Sequence, residues 1–402
     1  MHDRDPKKIK YFAKTNFRTK EHHKVFGIRT PEDTQYHTAI ISKTGSGKSN
    51  ILKSFIINDL ENGWGCIVID PHGSLVESIK NFVPTQRQGD VIDVDLTDIE
   101  VNGIGYNPLR KVSESKRALV ASGMVEILER LVEKKSFGDK MGYILFNSIM
   151  ALLESPGAFT FQDVLRLLQD KDFRSDISKH IKNKEVKHFF TKQFKLYTPK
   201  FDFVPIYKLF QFLAYPQLKN LLVYNENSLS ILKAINESKL VFVNNNKGAI
   251  GGASELIGNL FITGIMLAGF ARLNTPTDQR IPITIYIDEA QNYASNSNTG
   301  IVSILEELRK AGIQVCMAFQ SLSSLEPSVK QTVFSNVGNL IIMRTSAEDG
   351  LFLSREMARY YKPFTYEDFV LMPKYHMIVR MMIHGQPCLP FTATSIVYKE
   401  YF

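Results

Sequence analysis

Residues 38–49 read Thr-Ala-Ile-Ile-Ser-Lys-Thr-Gly-Ser-Gly-Lys-Ser, an apolar run of strand character that leads into a glycine-rich turn. Residues 50–57 follow with the periodicity of a helix. A strand, a glycine-rich loop and a helix in this order are the context of a phosphate-binding P-loop. The glycines let backbone N–H groups turn towards phosphate oxygens, and the helix N-terminus adds partial positive charge. The segment therefore predicts that the chain binds and hydrolyses a nucleoside triphosphate.

The P-loop sequence also assigns phosphate and metal ligands. Lys48 is expected to reach the β- and γ-phosphates of ATP, and the Ser49 hydroxyl is expected to bind Mg²⁺. Ser42 stands where the motif usually has its first glycine, a change that is tolerable if Ser42 can adopt the turn. The residues predicted to contact the nucleotide are Thr44, Gly45, Ser46, Gly47, Lys48, Ser49 and Asn50.

The composition is that of an ordinary globular protein. The 402 residues are 44% hydrophobic and 22% charged, and the length suggests two or three structural units. The sequence lacks a run of 18 apolar residues, and its first residues are too basic for a secretory signal. The three cysteines, Cys66, Cys316 and Cys388, lack metal-ligand spacing. We therefore expect a reduced, cytoplasmic chain without a disulfide framework.

The net charge of +8 is concentrated in two segments. Residues 1–24 carry eight Lys or Arg against three Asp or Glu, and residues 170–200 carry nine against four. Such patches suit a polyanion, whose binding would weaken steeply with salt. A solvated basic face is an equally good interpretation of charge alone.

The apolar pattern predicts an α/β fold. Residues 65–70 and 91–96 have strand character, with a helix predicted at 74–79 between them. Strand character returns near residue 239 and recurs at 283–288, 313–318 and 340–343, with helical patterns at 253–273 and 300–311 between these strands. The alternation predicts a P-loop NTPase with a mostly parallel, RecA-like sheet.

The same pattern predicts four segments along the chain. Residues 1–24 form a basic, weakly structured arm, and residues 25–113 form the first part of the P-loop core. Amphipathic helical patterns dominate residues 114–236, which predict an inserted all-helical subdomain. Residues 237–402 form the second part of the core.

Residues 283–289, Ile-Thr-Ile-Tyr-Ile-Asp-Glu, form a predicted buried strand that ends in two acids. This is the pattern of a Walker B element. Asp288, at the tip of the strand, is expected to hold the Mg²⁺ water shell. Glu289 is expected to act as the general base, because phosphoryl transfer depends mainly on positioning and charge stabilisation.

Three further side chains complete the predicted catalytic set. Gln320 ends the next strand and is expected to sense the γ-phosphate or to orient water. Arg309, on the helix after the Walker B strand, is the first candidate for an arginine finger that reaches a neighbouring subunit. Arg344, directly after a later strand, is the second candidate. His72, at the tip of the strand that ends at Asp70, either touches the nucleotide site or caps the following helix.

Several motifs in fixed order carry a family resemblance. They are residues 44–49 (Thr-Gly-Ser-Gly-Lys-Ser), 68–73 (Val-Ile-Asp-Pro-His-Gly), 286–291 (Tyr-Ile-Asp-Glu-Ala-Gln), 308–313 (Leu-Arg-Lys-Ala-Gly-Ile), 318–321 (Ala-Phe-Gln-Ser) and 336–339 (Asn-Val-Gly-Asn). This set resembles the HerA/FtsK group of P-loop motors, most closely the cytosolic domain of type IV secretion coupling proteins. The resemblance covers roughly residues 24–390.

The resemblance implies a hexameric ring that threads DNA and uses ATP and Mg²⁺, in conjugative or mobile-element transfer, packaging or DNA processing. It also implies that the helical insertion contacts DNA or a DNA-bound protein of the relaxase type. Coupling proteins usually carry N-terminal membrane helices, and from this sequence we expect no direct membrane insertion. Two alternatives stay open. The first is a ring that energises protein export or assembly, and the second is a non-motor scaffold that assembles on binding nucleotide.

Overall fold

The protein is built on a large mixed sheet, seen in a computed structural model that describes residues 9–17, 22–97, 103–129, 137–222, 228–294, 300–358 and 364–397. The strands are β1 (Ile9–Thr15), β2 (Val25–Arg29), β3 (Thr38–Ile41), β4 (Gly65–Asp70), β5 (Val91–Asp95), β6 (Leu240–Asn244), β7 (Ile283–Ile287), β8 (Ile313–Phe319), β9 (Asn339–Ile342), β10 (His376–Arg380), β11 (Met382–Ile383), β12 (Gln386–Pro387) and β13 (Phe391–Ser395).

The α-helices are α1 (Lys48–Glu61), α2 (Ser74–Lys80), α3 (Glu114–Glu129), α4 (Asp139–Glu154), α5 (Phe161–Gln169), α6 (Lys171–His180), α7 (Lys184–His188), α8 (Val204–Leu209), α9 (Pro216–Leu222), α10 (Ile231–Asn236), α11 (Lys247–Ile250), α12 (Ala253–Arg272), α13 (Gly300–Glu307), α14 (Pro327–Asn336), α15 (Ala347–Ala358) and α16 (Tyr366–Val370). Short 3-10 and π turns connect several of them. The predicted helix at 300–311 becomes a 3-10 turn from Leu308 to Ala311.

The eleven strands of the main sheet follow the order β2-β1-β13-β10-β9-β3-β8-β7-β4-β6-β5. Its centre is parallel: β3 pairs with β8 and β9, and β7 pairs with β8 and β4. The carboxyl ends of these strands therefore meet at one edge, where Ile41 lies opposite Phe319 and Ile342. This arrangement confirms the predicted α/β fold with a mostly parallel, RecA-like sheet.

The central strands are continuous apolar runs because both of their faces are buried. Every residue of β3, β4, β6, β7, β8 and β9 is buried. The helix after the P-loop, α1, packs its apolar side chains Ile51, Leu52, Phe55 and Ile56 into the same core. This packing fixes the P-loop at the carboxyl edge of the sheet.

The N-terminal segment contributes a strand to this sheet. β1 pairs antiparallel with β2 and with β13, and Tyr11 and Phe12 are buried. The expectation of a weakly structured arm at 1–24 is therefore wrong for Ile9–Thr15, while residues 1–8 and 18–21 lie outside the described residues. The strand is stable despite its charge because the buried Lys10 ammonium donates to Asp59 Oδ2 at 2.8 Å and to Thr284 Oγ1 at 2.9 Å.

The chain divides into two compact units. The first contains residues 1–93, 231–245 and 268–402, and the second contains residues 94–230 and 246–267. Within the second unit, the described residues 114–129 and 137–222 form helices joined by turns. Its boundaries differ from the predicted 114–236, because α10 belongs to the first unit and residues 246–267 belong to the second.

Helix α12 is long and apolar, with a mean hydropathy of 1.5 over its most apolar stretch. By length and composition it is the one described helix that would suit a membrane span. However, 72% of that stretch is buried inside the protein, as in the core helix of a folded domain.

Candidate functional site

The P-loop follows β3 with the geometry that phosphate binding requires. Gly45 and Gly47 have φ angles of +79° and +118°, which glycine adopts readily because it lacks a Cβ. The Ser42 amide donates to Phe319 O at 3.0 Å, and the Lys43 amide donates to Arg344 O at 2.7 Å. Ser42 is itself buried. Serine at the first motif position is therefore accommodated, since its backbone is tied to β8.

Gly47 is also required by its surroundings. A Cβ built on it would lie 2.7 Å from Cδ1 of Tyr375 and 3.0 Å from Cε of Met343. The first of these contacts is closer than Cβ atoms approach in folded proteins, and the second is tight but involves the flexible end of a methionine. The next residue, Lys48, begins α1, so the loop delivers its lysine at the helix N-terminus.

Lys48 brings the P-loop and the Walker B acids together. Its ammonium nitrogen lies 2.9 Å from Asp288 Oδ1 and 2.5 Å from Glu289 Oε1. Both carboxylates are buried, so the cation offsets charge that water does not solvate. Two buried carboxylates facing one lysine are a donor set that suits Mg²⁺, with the lysine left to bind phosphate. The residues present therefore fit a magnesium–nucleotide complex.

Burial raises the pKa of Asp288 above its usual range, and the neighbouring Lys48 charge lowers it in opposition. A buried carboxyl whose ionised form is stabilised by a nearby cation is typical of functional sites, where pKa values are often shifted. Asp288 follows β7 directly and its amide donates to Ile69 O at 3.1 Å, which fixes the position of the acid at the sheet edge.

Glu289 adopts a left-handed backbone conformation with φ of +47°. This conformation is uncommon for a residue with a side chain. It turns the chain immediately after Asp288, whose Oδ1 accepts the Glu289 amide at 3.0 Å. Glu289 Oε2 accepts a hydrogen bond from Gln291 Nε2 at 2.5 Å, and His72 Nε2 lies 4.0 Å from Oε1. The strained turn aims Glu289 at Lys48, as expected for a residue placed by its function.

Gln320 connects the two halves of the site. It follows β8, the strand that lies between β3 and β7 in the sheet. Its side-chain amide donates to Thr44 Oγ1 in the P-loop. Its backbone amide donates to Gln291 Oε1 at 3.1 Å. A chain of hydrogen bonds therefore connects the P-loop to Glu289 through Gln320 and Gln291.

Asp70 organises the neighbouring strand tip rather than the reaction. Its carboxylate accepts the backbone amides of His72 at 2.9 Å, Leu75 at 2.8 Å and Val76 at 3.0 Å. The last two belong to the first turn of α2, so Asp70 supplies the acceptors that a helix N-terminus needs. The His72 side chain points towards Glu289 at the distance given above, which places it beside the site.

The two candidate arginines lie at opposite edges of the sheet. Arg344 follows β9 at the P-loop edge. Arg309 lies in the turn before β8, at the other edge, with its guanidinium 4.7 Å from the centre of the Tyr36 ring. Within one subunit Arg309 is therefore remote from its own P-loop, and its role as a finger for a neighbour stays a prediction.

Two other predicted ligands occupy different surroundings. Ser49 is exposed in the first turn of α1, where a hydroxyl can meet a bound metal. The Asn50 side-chain amide instead donates to Ile396 O at 2.9 Å, beyond the end of β13. Its side chain therefore anchors the P-loop helix to the C-terminal strand. A phosphate contact from Asn50 would have to come from its backbone.

Sequence reasoning missed Gln291 and Tyr375. Gln291 stands two residues after Glu289 within the motif at 286–291, and an amide so close to a predicted base is a local signal for an orienting group. Tyr375 carries no local signal, because it meets the P-loop only through the folding of a distant part of the chain.

A sequence model described as the type IV secretion-system coupling protein DNA-binding domain matches residues 25–354. The fold is similar to that of the bacterial conjugative coupling protein TrwBΔN70, with a TM-score of 0.62, 13% identity and coverage of 92% of this chain and 87% of that one. Plasmid coupling protein TrwB in complex with the ATP analogue ADPNP gives a TM-score of 0.65 at 13% identity, with the same coverage.

VirB4 of Thermoanaerobacter pseudethanolicus is similar over 98% of both chains, with a TM-score of 0.60 and 15% identity. No curated protein sequence matches the chain. The structural similarities show a shared fold. The sequence model confirms the resemblance inferred from the motifs. Because the match to the sequence model spans most of its residues, the chain belongs to the family of type IV secretion-system coupling protein DNA-binding domains.

Proposed function

We propose that this chain is an ATPase that moves DNA, working as a hexameric ring of the coupling-protein type in conjugative or mobile-element transfer. The observation that carries the proposal is the contact of the P-loop lysine, Lys48, with both Asp288 and Glu289. Gln320, at the end of the neighbouring strand β8, also contacts the P-loop through Thr44. This set can hold a triphosphate, a metal and an attacking water at one sheet edge.

ATP and Mg²⁺ are the proposed cofactors. TrwB has been seen with ADPNP and with ADP and Mg²⁺, and this chain shares its fold. The bound magnesium would neutralise charge that develops on the phosphate oxygens. Asp288 and Ser49 would hold the metal, and Lys48 would exchange its carboxylate partners for the β- and γ-phosphates. That exchange would release Glu289 to take a proton from water, which general base catalysis requires.

DNA is the proposed substrate of movement. The matched family is described as DNA-binding, and the second unit presents exposed lysines that suit a phosphate backbone. These lysines are Lys171, Lys179, Lys182, Lys184, Lys187, Lys192, Lys195 and Lys200. A cytoplasmic location and a relaxase-type partner that delivers DNA belong to the same proposal.

The rate of ATP hydrolysis tests the proposal when it is measured with and without DNA at low and high salt. We expect stimulation by DNA that falls steeply with salt, because counterions compete for the phosphates. Lys48→Ala should abolish hydrolysis, and Glu289→Gln should lower its rate by about 10²–10⁴-fold. Matched changes at the exposed ion pair between Lys233 of α10 and Glu237 just after it, Lys233→Ala and Glu237→Gln, should leave the rate of hydrolysis unchanged. A rate of hydrolysis that is the same with and without DNA at every salt concentration would overturn the proposal.

Mixing variants identifies the arginine finger. A ring that contains Arg309→Ala and Lys48→Ala subunits regains complete sites if Arg309 acts on a neighbour, because the intact arginine of one subunit meets the intact P-loop of the next. Arg344 lies at its own P-loop, so mixing Arg344→Ala with Lys48→Ala should restore nothing. Recovery in the second mixture and not in the first would reverse the assignment.

A further inference from the structure

Tyr375 is held against the P-loop by its backbone. It lies one residue before β10, and its amide donates to Ser46 O at 2.9 Å. Its carbonyl accepts the Ser395 amide at 2.8 Å, at the end of β13. Both main-chain groups are thus engaged, one with the phosphate-binding loop and one with the C-terminal strand.

The conformation of Tyr375 is unusual for its residue type. Its φ is +68°, a left-handed value that is rare for a residue with a bulky side chain. Such strain persists where the surrounding structure enforces it, and it is concentrated at functional sites. The ring packs on Gly47, since a Cβ at Gly47 would lie 2.7 Å from Cδ1, yet the residue keeps 42% of its surface exposed.

The polarity of the site places this ring at one end of a bound nucleotide. Glu289, the proposed general base, follows β7 and lies on the β8 and β7 side of the P-loop strand. β9, β10 and β13 lie on the other side, and Tyr375 is at the edge where β10 begins. A triphosphate whose γ end faces Glu289 therefore directs its ribose and base towards Tyr375.

We propose that Tyr375 is the platform on which the purine base of the nucleotide stacks, an inference that rests on the proposed ATPase function. Aromatic stacking accepts any base, because each presents a π face. The platform therefore favours nucleotides over bare phosphate without separating ATP from GTP. The Lys374 ammonium lies 4.8 Å from the centre of the ring, on an exposed side chain that a base can displace.

Calorimetric titration of the full chain with Mg²⁺ and either ADPNP or inorganic tripolyphosphate tests the platform. Tyr375→Leu keeps apolar bulk against Gly47 but removes the aromatic face. We expect it to weaken ADPNP binding by about 5- to 150-fold, the range typical of base stacking, and to leave tripolyphosphate binding unchanged. Tyr375→Phe should bind both ligands like the parent chain. Tyr215→Leu, at a similarly exposed tyrosine of the second unit, is the matched control and should change neither affinity.

The outcomes separate this inference from the proposed function. If Tyr375→Leu weakens both ligands equally, the ring supports the P-loop backbone, and the platform is refuted. If it changes neither affinity, the base lies elsewhere, and the platform is also refuted. Failure of the parent chain to bind either ligand, or binding that is indifferent to Lys48→Ala, would instead overturn the nucleotide site itself.

Discussion

The conformational demand of the P-loop can be measured with three alanine substitutions. Gly45 and Gly63 have nearly the same φ, +79° and +81°, and no atom lies within 4 Å of a Cβ built on either. Gly45→Ala and Gly63→Ala should therefore each cost only the left-handed backbone, about 1–2 kcal/mol of unfolding free energy. Gly63 follows the end of α1, away from the phosphate loop, so it serves as the matched control.

Gly47→Ala should cost more, because two effects add. Its φ of +118° is unfavourable for alanine, and the new methyl would meet the Tyr375 ring at 2.7 Å and Met343 Cε at 3.0 Å. Overpacking of this kind typically costs about 1–3 kcal/mol. With the backbone cost, we expect a loss of roughly 2–5 kcal/mol.

Urea unfolding without nucleotide and calorimetric binding of ADPNP provide the two readouts. We expect Gly45→Ala and Gly63→Ala to lose equal stability, and Gly45→Ala alone of this pair to weaken nucleotide binding. Equal losses of affinity in the pair would show that the φ of Gly45 has no special relation to phosphate binding. A Gly47→Ala chain as stable as Gly45→Ala would refute the packing of Tyr375 on the loop.

Three further predictions concern single side chains. Glu289→Gln should lower the rate of ATP hydrolysis by about 10²–10⁴-fold without weakening nucleotide binding, because the general base is lost while Lys48 is released from a carboxylate; a loss of less than tenfold would exclude Glu289 as the base. Lys10→Met should lower the free energy of unfolding by about 3–5 kcal/mol, since it leaves Asp59 buried without its cation. Adding Asp59→Leu should then cost less than the sum of the two single changes, and strict additivity in urea unfolding would contradict the pairing. Burial, assisted by the nearby Arg309 charge, lowers the pKa of His37 from 6.5 to about 4. The unfolded chain then binds a proton more readily than the folded one below pH 6.5, so stability should fall by up to about 3 kcal/mol between pH 6.5 and 4. His37→Asn should flatten this part of the stability profile, and an unchanged slope would refute the role of His37.

The parallel centre of the sheet was predictable because each of its strands has a clear local sequence pattern. β4, β7 and β8 are unbroken apolar runs, as strands buried on both faces must be. Their tips carry Asp70, Asp288 and Gln320, whose proximity follows from parallel order alone. Lys48 was predicted from the P-loop motif and Glu289 from the acid pair at the end of β7, and the structure brings them together.

The antiparallel half of the sheet was not predictable in the same way. β1 reads Ile-Lys-Tyr-Phe-Ala-Lys-Thr within a basic segment, and nothing local shows that Lys10 will be buried. Its partner Asp59 and the paired strand β13 are distant in sequence. A charged side chain is stable in the core only when an oppositely charged residue pairs with it. Here that partner is distant in sequence, and local sequence patterns do not reveal such pairs.

The same limit applies to the candidate site. Gln291 and Tyr375 act through contacts made after folding, the first with Glu289 and Gln320, the second with Gly47. The predicted sequence boundaries of the helical unit also differ from the observed ones. Residues 246–267 belong to this unit, although residues 231–245, which contain β6 and precede them in the sequence, belong to the first unit. Periodicity defines a helix, but it does not state which unit the helix packs into.

ATP-driven displacement of a third strand from a triplex on linear duplex DNA tests most directly that hydrolysis at this site moves DNA. The parent chain should displace the strand only with ATP and Mg²⁺. The Glu289→Gln chain should bind the same DNA but leave the triplex intact, while the control Glu237→Gln should behave like the parent. DNA-stimulated hydrolysis without displacement, or displacement by Glu289→Gln at the parental rate, would contradict the account.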